Sequence, residues 1–168
     1  EFYAAGKLKN IGISNFELPD LNELLSSCKV VPQIYQGNAW QLWFRPEVLQ
    51  RLREKNVLYQ AYNVVNGIVT REGAAPRAYR ALADVARAKN ADVGTVVLAA
   101  LKRRGVATIP RASSPNHLAA NAPRAVASIA LDDEQAEQAD AVDAAMRALM
   151  SGRDLPPEQP VVATFTSS

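Results

Sequence analysis

The alternation of strand-like and helix-like segments constrains the fold of this chain more than any other feature. Four short segments rich in β-branched or aromatic residues are predicted as strands: Lys9–Ser14, Val30–Gly37, Val57–Tyr62 and Val106–Pro110. The first of them, Lys9–Ser14, is predicted to be a buried strand. Helical segments lie between these strands and after the last one. Such alternation is typical of parallel strands joined by right-handed crossovers. Four units of this kind make an open parallel sheet or half of an eight-stranded barrel, and the pattern alone does not separate the two.

The predicted helices have recognisable start and stop residues. They cover Leu18–Ser27, Pro46–Lys55, Ala78–Lys89, Val93–Arg103, a short segment from Ser114 to Asn121, and a last segment that begins at Asp132-Asp133-Glu134 and ends near Met150. Asn56 and Gly105 are expected to terminate two of them. Residues 63–75 have the composition of a loop.

The two ends of the chain differ from its middle. The first six residues are typical of the last turn of a helix, with Gly6 just past its end. Because the first residue is Glu1 and not Met, we expect a segment in front of it to have been lost, together with any targeting peptide. One domain is predicted over residues 1–150. Residues 151–168, which contain three prolines, are predicted to be an extended, poorly anchored tail.

Composition narrows the class of protein. With 48% apolar and 21% charged residues, the 168-residue chain is typical of one globular domain. The net charge of +2 gives no reason to expect nucleic acid or an anionic membrane as a partner. Every apolar run is far shorter than the roughly 20 residues of a membrane-spanning helix, so no membrane insertion is expected. Cys28 stands alone and is expected to be a buried or half-buried small residue.

Five motifs then resemble one family. Lys9–Phe16, directly after Gly6-Lys7, is very similar to the Gly-Lys-(x)-Ile-Gly-Val-Ser-Asn-Phe segment of aldo-keto reductases. Four further stretches follow in the order of that family: Pro32–Gln36, Val57–Tyr62, Gly105–Arg111 and Asp132–Glu134. The resemblance implies an α/β fold, namely half of a (β/α)8 TIM barrel that comprises strands five to eight.

The resemblance also assigns a cofactor site at the carboxyl ends of the strands. It implies that Ser14, Asn15 and Gln36 hold the nicotinamide carboxamide of NADPH and that Tyr62 stacks on the nicotinamide ring. An amide ligand needs both donors and acceptors, and these three side chains supply both. Taken singly, the polar residues are more typical of turn starts and Tyr62 of a half-buried core aromatic. Together, at matching positions, they favour the cofactor interpretation.

The adenosine end departs further from the family. Arg111 and Asn121 remain as candidate cofactor-binding residues. Ala112 replaces a hydroxyl donor, His117 stands where an arginine is common, and Ala120 replaces an acidic residue. His117 by itself is more typical of a surface helix. Because each lost charge-assisted contact costs on the order of 1.5–3 kcal/mol, NADPH binding is expected to be weakened or lost.

No catalytic residue and no metal site is predicted. The resemblance places the catalytic tyrosine, lysine, aspartate and histidine on the first four strands, before Ile11. The tyrosines at positions 3, 35, 59 and 79 lie in the wrong segments to replace the acid. Since carbonyl reduction needs a proton donor within reach, the chain alone is not expected to catalyse it.

Half a barrel leaves two strand edges unpaired, so a protein partner is expected: a separate first half, a second copy or a large assembly. We favour a non-catalytic structural or accessory subunit of a larger complex. The alternative is one part of a working NADPH-dependent aldehyde or ketone reductase whose first half is supplied separately or not included. A cofactor-sensing regulatory subunit ranks third. The resemblance implies a soluble, cytoplasmic protein, and an organelle stays open because of Glu1.

Overall fold

The computed structural model describes residues 1–65, 68, 72–131 and 136–156. The predicted helix start at Asp132–Glu134 and the tail after Pro156 lie outside the described residues.

Four parallel strands form one sheet. They are β1 (Gly12–Ser14), β2 (Ile34–Asn38), β3 (Leu58–Tyr62) and β4 (Ala107–Thr108), in the spatial order β1-β2-β3-β4. The predicted parallel α/β arrangement is therefore confirmed, although each strand begins later than predicted. In the part of the chain that the structure describes, β1 and β4 are the two edges of the sheet, as half a barrel requires.

The helices follow the predicted order. They are α1 (Leu18–Ser27), α2 (Gln41–Phe44), α3 (Pro46–Glu54), α4 (Pro76–Ala88), α5 (Val93–Arg103), α6 (Pro115–Ala120), α7 (Pro123–Ala127) and α8 (Ala136–Ser151). The short helices α2 and α7 were not predicted, because four or five residues carry no readable apolar stripe. The predicted terminators Gly6, Asn56 and Gly105 all adopt the left-handed conformation, with φ of 69°, 56° and 70°.

The two faces of the sheet have different surroundings. Tyr35, Tyr59 and Ala61 point to the face that the helices cover, and all three are buried. Side chains that alternate with them, such as Gln36, Gln60 and Leu58, remain half-buried or exposed on the other face. In a complete barrel, this open face would be the interior.

The prediction that the first strand is buried is wrong. Gly12 and Ser14 of β1 are exposed and Ile13 is only half-buried. The physical reason is that β1 lies at an edge, next to the open face, and has a neighbouring strand on one side only among the described residues.

Helix α8 closes the helical layer. It packs mainly on α4 and contributes the fully buried Met146 and Leu149. Asp143 of α8 accepts hydrogen bonds from Trp43 Nε1 at 3.3 Å and from Arg104 Nη1 at 3.2 Å. These contacts fix α8 to α2 and to the end of α5.

The chain remains anchored after α8. Both carboxylate oxygens of Asp154 accept backbone N–H bonds at the start of α4, from Arg77 at 3.2 Å and from Ala78 at 2.9 Å. Leu155 packs against the core. The expectation of a poorly anchored tail is therefore wrong up to Leu155, because the first N–H groups of α4 need acceptors that the helix cannot supply.

Candidate functional site

The residues predicted to face a nicotinamide lie together at the carboxyl end of the sheet. Ser14 pairs in register with Gln36. The backbone N–H of Asn15 donates to the carbonyl of Gln36 at 3.0 Å, and Tyr62 Oη donates to Asn15 Oδ1 at 3.0 Å. We call Ser14, Asn15, Gln36 and Tyr62 the rim quartet. The structure brings all four together, although they come from three strands and their following loops.

Left-handed asparagines turn the chain away from the sheet at this rim. Asn15 follows β1 with φ of 58°, and Asn63 follows β3 with φ of 56°. Asparagine tolerates this conformation better than most other residues that carry a side chain. Asn63 therefore has a local structural role. The turn directs Val64, which is 1% exposed, into the core.

Gln60 is a neighbour of the rim quartet that the motifs did not reveal. Gln36 Nε2 donates to Gln60 Oε1 at 2.8 Å, and the two residues are directly paired between β2 and β3. The alternation of strand side chains could have indicated it, because Gln60 stands two residues before Tyr62 and so shares its face. A polar side chain on this open face extends the set of amide groups available to a ligand.

Beneath the rim quartet, on the helix-covered face, two buried phenols meet one amide. Tyr35 Oη lies 2.8 Å from the carbonyl oxygen of Phe16 and 3.1 Å from Gln41 Oε1. Tyr59 Oη lies 2.9 Å from the carbonyl oxygen of Asn38 and 2.8 Å from the same Gln41 oxygen. We call Tyr35, Gln41 and Tyr59 the phenol cluster.

Both phenols of the cluster stay protonated near neutral pH. Burial is the main cause that raises the pKa of Tyr35, only partly offset by its hydrogen bond to Gln41. Burial, with a smaller contribution from the neighbouring Tyr35 and Tyr62, holds the pKa of Tyr59 far above its ordinary value. Both phenols lie on the helix-covered face, whereas the rim quartet lies at the carboxyl end of the sheet.

The residues predicted for the adenosine end line a separate cavity of about 350 Å³. Arg111, His117, Ala120 and Asn121 all contribute to its wall, together with Tyr79 and the first turn of α5. Ala112 is not among the lining residues. We call this space the adenosine cavity. The positive charge of Arg111 and the N-terminal end of α5 favour a negatively charged group here, while the carboxylate of Asp92, which also lines the cavity, opposes one.

Helix α6 presents two of these wall residues. Ser114 Oγ accepts the backbone N–H of His117 at 3.2 Å, which caps the start of the helix. The buried Thr95 of α5 donates through Oγ1 to the carbonyl of Ala120 at 3.3 Å, so the two helices are joined behind the cavity.

The described residues offer neither a metal site nor a membrane-spanning helix. No group of three or more His, Cys, Asp or Glu side chains there could hold a metal ion. No helix in the described ranges is long and apolar enough to cross a membrane. Cys28 is half-buried and free, as predicted.

Parallel strands with covering helices and polar groups at the carboxyl ends define half of a (β/α)8 barrel. An aldo/keto reductase from Brucella melitensis has this fold: its TM-score is 0.71 at 19% identity, and the match covers 86% of this chain and 51% of that one. The silkworm (Bombyx mori) aldo-keto reductase AKR2E5, solved in complex with NADPH, has a TM-score of 0.64 at 24% identity. That match covers 82% of this chain and 43% of the silkworm chain.

Residues 1–144 match the model of the Aldo/keto reductase family, and the chain belongs to that family. The Bacillus subtilis protein "Uncharacterized oxidoreductase YtbE" is 24% identical over 121 residues, which cover 71% of this chain and 41% of that protein. The chain thus spans about half the length, or less, of the relatives that it matches.

Proposed function

We propose that this chain forms the cofactor side of an NADP(H)-binding site, which four further β/α units complete. The observation that carries the proposal is the pairing of two separate features: the hydrogen-bonded rim quartet and the adenosine cavity with Arg111 and Asn121 in its wall. The rim quartet suits an amide and an aromatic ring, and the adenosine cavity suits an adenosine phosphate.

The role of each residue follows from its chemistry. Ser14, Asn15 and Gln36 would bind the carboxamide, and Gln60 would hold the Gln36 side chain through the 2.8 Å bond. The ring of Tyr62 would support one face of the nicotinamide, while its hydroxyl is held by Asn15. When bound, NADPH supplies a hydride for carbonyl reduction. Arg111 would contact the phosphate on the adenosine ribose.

The partner that this proposal requires is a unit of four parallel strands and their helices. It would pair with the edges β1 and β4 and cover the open face, where Leu58 and Ile109 are 44% and 41% exposed. Such a unit would also supply the proton donor. The proposal is the same whether this unit belongs to the same polypeptide or to a separate one.

A second candidate is an accessory subunit that no longer turns over a substrate. Ala120 favours it, because this residue lines the adenosine cavity where the family commonly has an acidic group. Ala112 favours it too, since the position offers no hydroxyl to a phosphate. Weak cofactor binding without turnover would be the signature of this function.

Fluorescence titration with NADPH, with and without a co-expressed first half from a relative, distinguishes the two candidates. Binding with aldehyde-dependent NADPH oxidation would support a working reductase, and binding without oxidation would support the accessory subunit. Tyr62→Ala and Arg111→Ala should each weaken binding by about tenfold or more. Lys102→Ala, on an exposed position near the end of α5, is the matched surface control. A complex that binds no NADPH would refute the proposal.

A further inference from the structure

The phenol cluster lies directly behind the rim quartet, on the other face of the same strands. Tyr35 stands next to Gln36 in β2, and Tyr35 and Tyr59 are paired in register between β2 and β3. Their ring centroids are 5.2 Å apart. Tyr35 and Tyr59 are each 1% exposed or less, and Gln41 is 4% exposed, so the three side chains form a closed polar centre within an otherwise apolar layer.

The two backbone carbonyls that contact the phenols belong to residues that come shortly after members of the rim quartet. The Phe16 carbonyl, 2.8 Å from Tyr35 Oη, belongs to the residue that follows Asn15. The Asn38 carbonyl, 2.9 Å from Tyr59 Oη, lies two residues after Gln36. Each phenol therefore contacts the chain where it leaves the sheet, just after a member of the rim quartet.

The amide joins these two anchors. Gln41 Oε1 lies within 3.1 Å of both phenolic oxygens, so the single proton of each hydroxyl is shared between this oxygen and a backbone carbonyl, and the rings of Tyr35 and Tyr59 are held relative to each other. Gly37 leaves the necessary space: a Cβ at this position would lie 2.4 Å from Tyr59 Oη and 2.5 Å from Gln41 Oε1. The backbone between Gln36 and Asn38 thus packs directly onto the cluster.

We infer that Tyr35, Gln41 and Tyr59 are positioning residues, which fix the backbone after β1 and β2 so that Asn15 and Gln36 are set for an amide ligand. The inference rests on the proposed function for its ligand, and on the phenol–carbonyl bonds for its geometry. Hydrogen bonds in a water-excluded site hold a backbone more firmly than exposed ones. Pre-organised groups bind a ligand with less ordering cost.

A purely structural role predicts a different result. If the cluster only stabilised the core, removing one hydroxyl would lower the stability of the whole domain and leave ligand selectivity unchanged. If it positions the rim quartet, the loss falls on the nicotinamide end and spares the adenosine cavity. Two ligands separate these effects: NADPH, which has both ends, and adenosine 2′,5′-bisphosphate, which lacks the nicotinamide.

The experiment compares the full chain with its Tyr35→Phe and Tyr59→Phe variants. Each variant keeps the ring and removes the hydroxyl that contacts one of the two backbone carbonyls. We expect about a tenfold rise in the Kd for NADPH and less than a twofold change for adenosine 2′,5′-bisphosphate. Val142→Ala is the control, because Val142 is 1% exposed in α8, a helix that packs on other helices. It should lower stability without changing the ratio of the two Kd values.

A second measurement needs no ligand. The backbone N–H of Asn15, which donates to the Gln36 carbonyl, should exchange with deuterium about tenfold faster in Tyr35→Phe, but not in Val142→Ala at equal stability. If the wild-type chain binds neither ligand, alone or together with the co-expressed first half, the proposed function fails and this exchange rate still decides the positioning role. The positioning role is overturned if Tyr35→Phe and Tyr59→Phe behave like Val142→Ala in both measurements. Should one tyrosine variant not fold, the other suffices.

Discussion

The two faces of the sheet differ in what they contribute. On the helix-covered face, Tyr35, Tyr59 and Ala61 are each 1% exposed or less, and every phenolic oxygen has a partner. On the open face, Gln36 and Gln60 satisfy one another, while Leu58 stays 44% exposed. The first face resembles a finished protein core, and the second resembles an interface.

The face that stabilises the domain is therefore not the face that carries the polar groups of the candidate ligand site. Burial of apolar area stabilises the covered face by roughly 25 cal/mol per Å² removed from water. The open face gains little from that term, yet it carries the polar groups of the rim quartet. A chain built in this way is folded mainly by its helices, whereas its ligand site depends on a surface that needs covering.

The largest effect is expected on the covered face. Leu52 of α3 is 0% exposed, and α3 packs on β3. Leu52→Ala should lower the free energy of unfolding by about 2–5 kcal/mol, because it removes apolar burial and leaves a cavity. Urea denaturation measures this value. A loss below about 1 kcal/mol would contradict the assignment of the stabilising core to this face.

The next effect concerns the phenol cluster. Gly37→Ala should cost about 1–3 kcal/mol, because the added Cβ would lie 2.4 Å from Tyr59 Oη and 2.6 Å from Tyr35 Cε1. Gly73→Ala is the matched control, since no atom lies within 4 Å of its Cβ position. Equal unfolding free energies for the two variants would show that the strands can move apart without cost.

A smaller, pH-dependent effect is expected where the segment after α8 contacts the start of α4. Burial acts to raise the pKa of Asp154, but backbone donors at Ala78, Arg77 and Leu155 and the charge of Arg77 together lower it below 3.8. The folded pKa is thus depressed, so the stability that Asp154 contributes is present above about pH 4 and is lost as the pH falls through the folded value.

Asp154→Asn should therefore unfold at a lower urea concentration than the wild type at pH 6, with a gap that narrows toward pH 3. Removal of the charge weakens the bonds to the start of α4. Asp84→Asn serves as the control, because the exposed Asp84–Arg87 pair is expected to contribute little. A gap that widens in acid would mean that the pKa of Asp154 is raised.

The smallest effect is expected on the open face. Leu58→Ala should change the unfolding free energy by less than about 1 kcal/mol, because the leucine is already 44% exposed. The same substitution should weaken association with a first half much more, since pairing would bury this side chain. Size-exclusion chromatography of the mixed halves measures the second effect. A large loss of stability in the chain alone would contradict the conclusion that the open face contributes little to the stability of the domain.

Local sequence patterns predicted many features of this structure. The alternating strands and helices, the left-handed terminators at Gly6, Asn56 and Gly105, and the motifs that carry Ser14, Asn15, Gln36 and Tyr62 were readable from the sequence. These features depend on residues close together in the chain: strand and helix periodicity, turn chemistry and short motifs.

The contacts between distant parts of the chain and the exposure of β1 were decided only by the tertiary structure. It paired Gln36 with Gln60, joined Tyr35 and Tyr59 through Gln41, and brought Asp154 to the start of α4. It also exposed β1, which its short, β-branched-rich sequence had predicted to be buried. Register between strands and contacts across 18 to 76 positions follow from how the whole chain packs, and no local pattern encodes them.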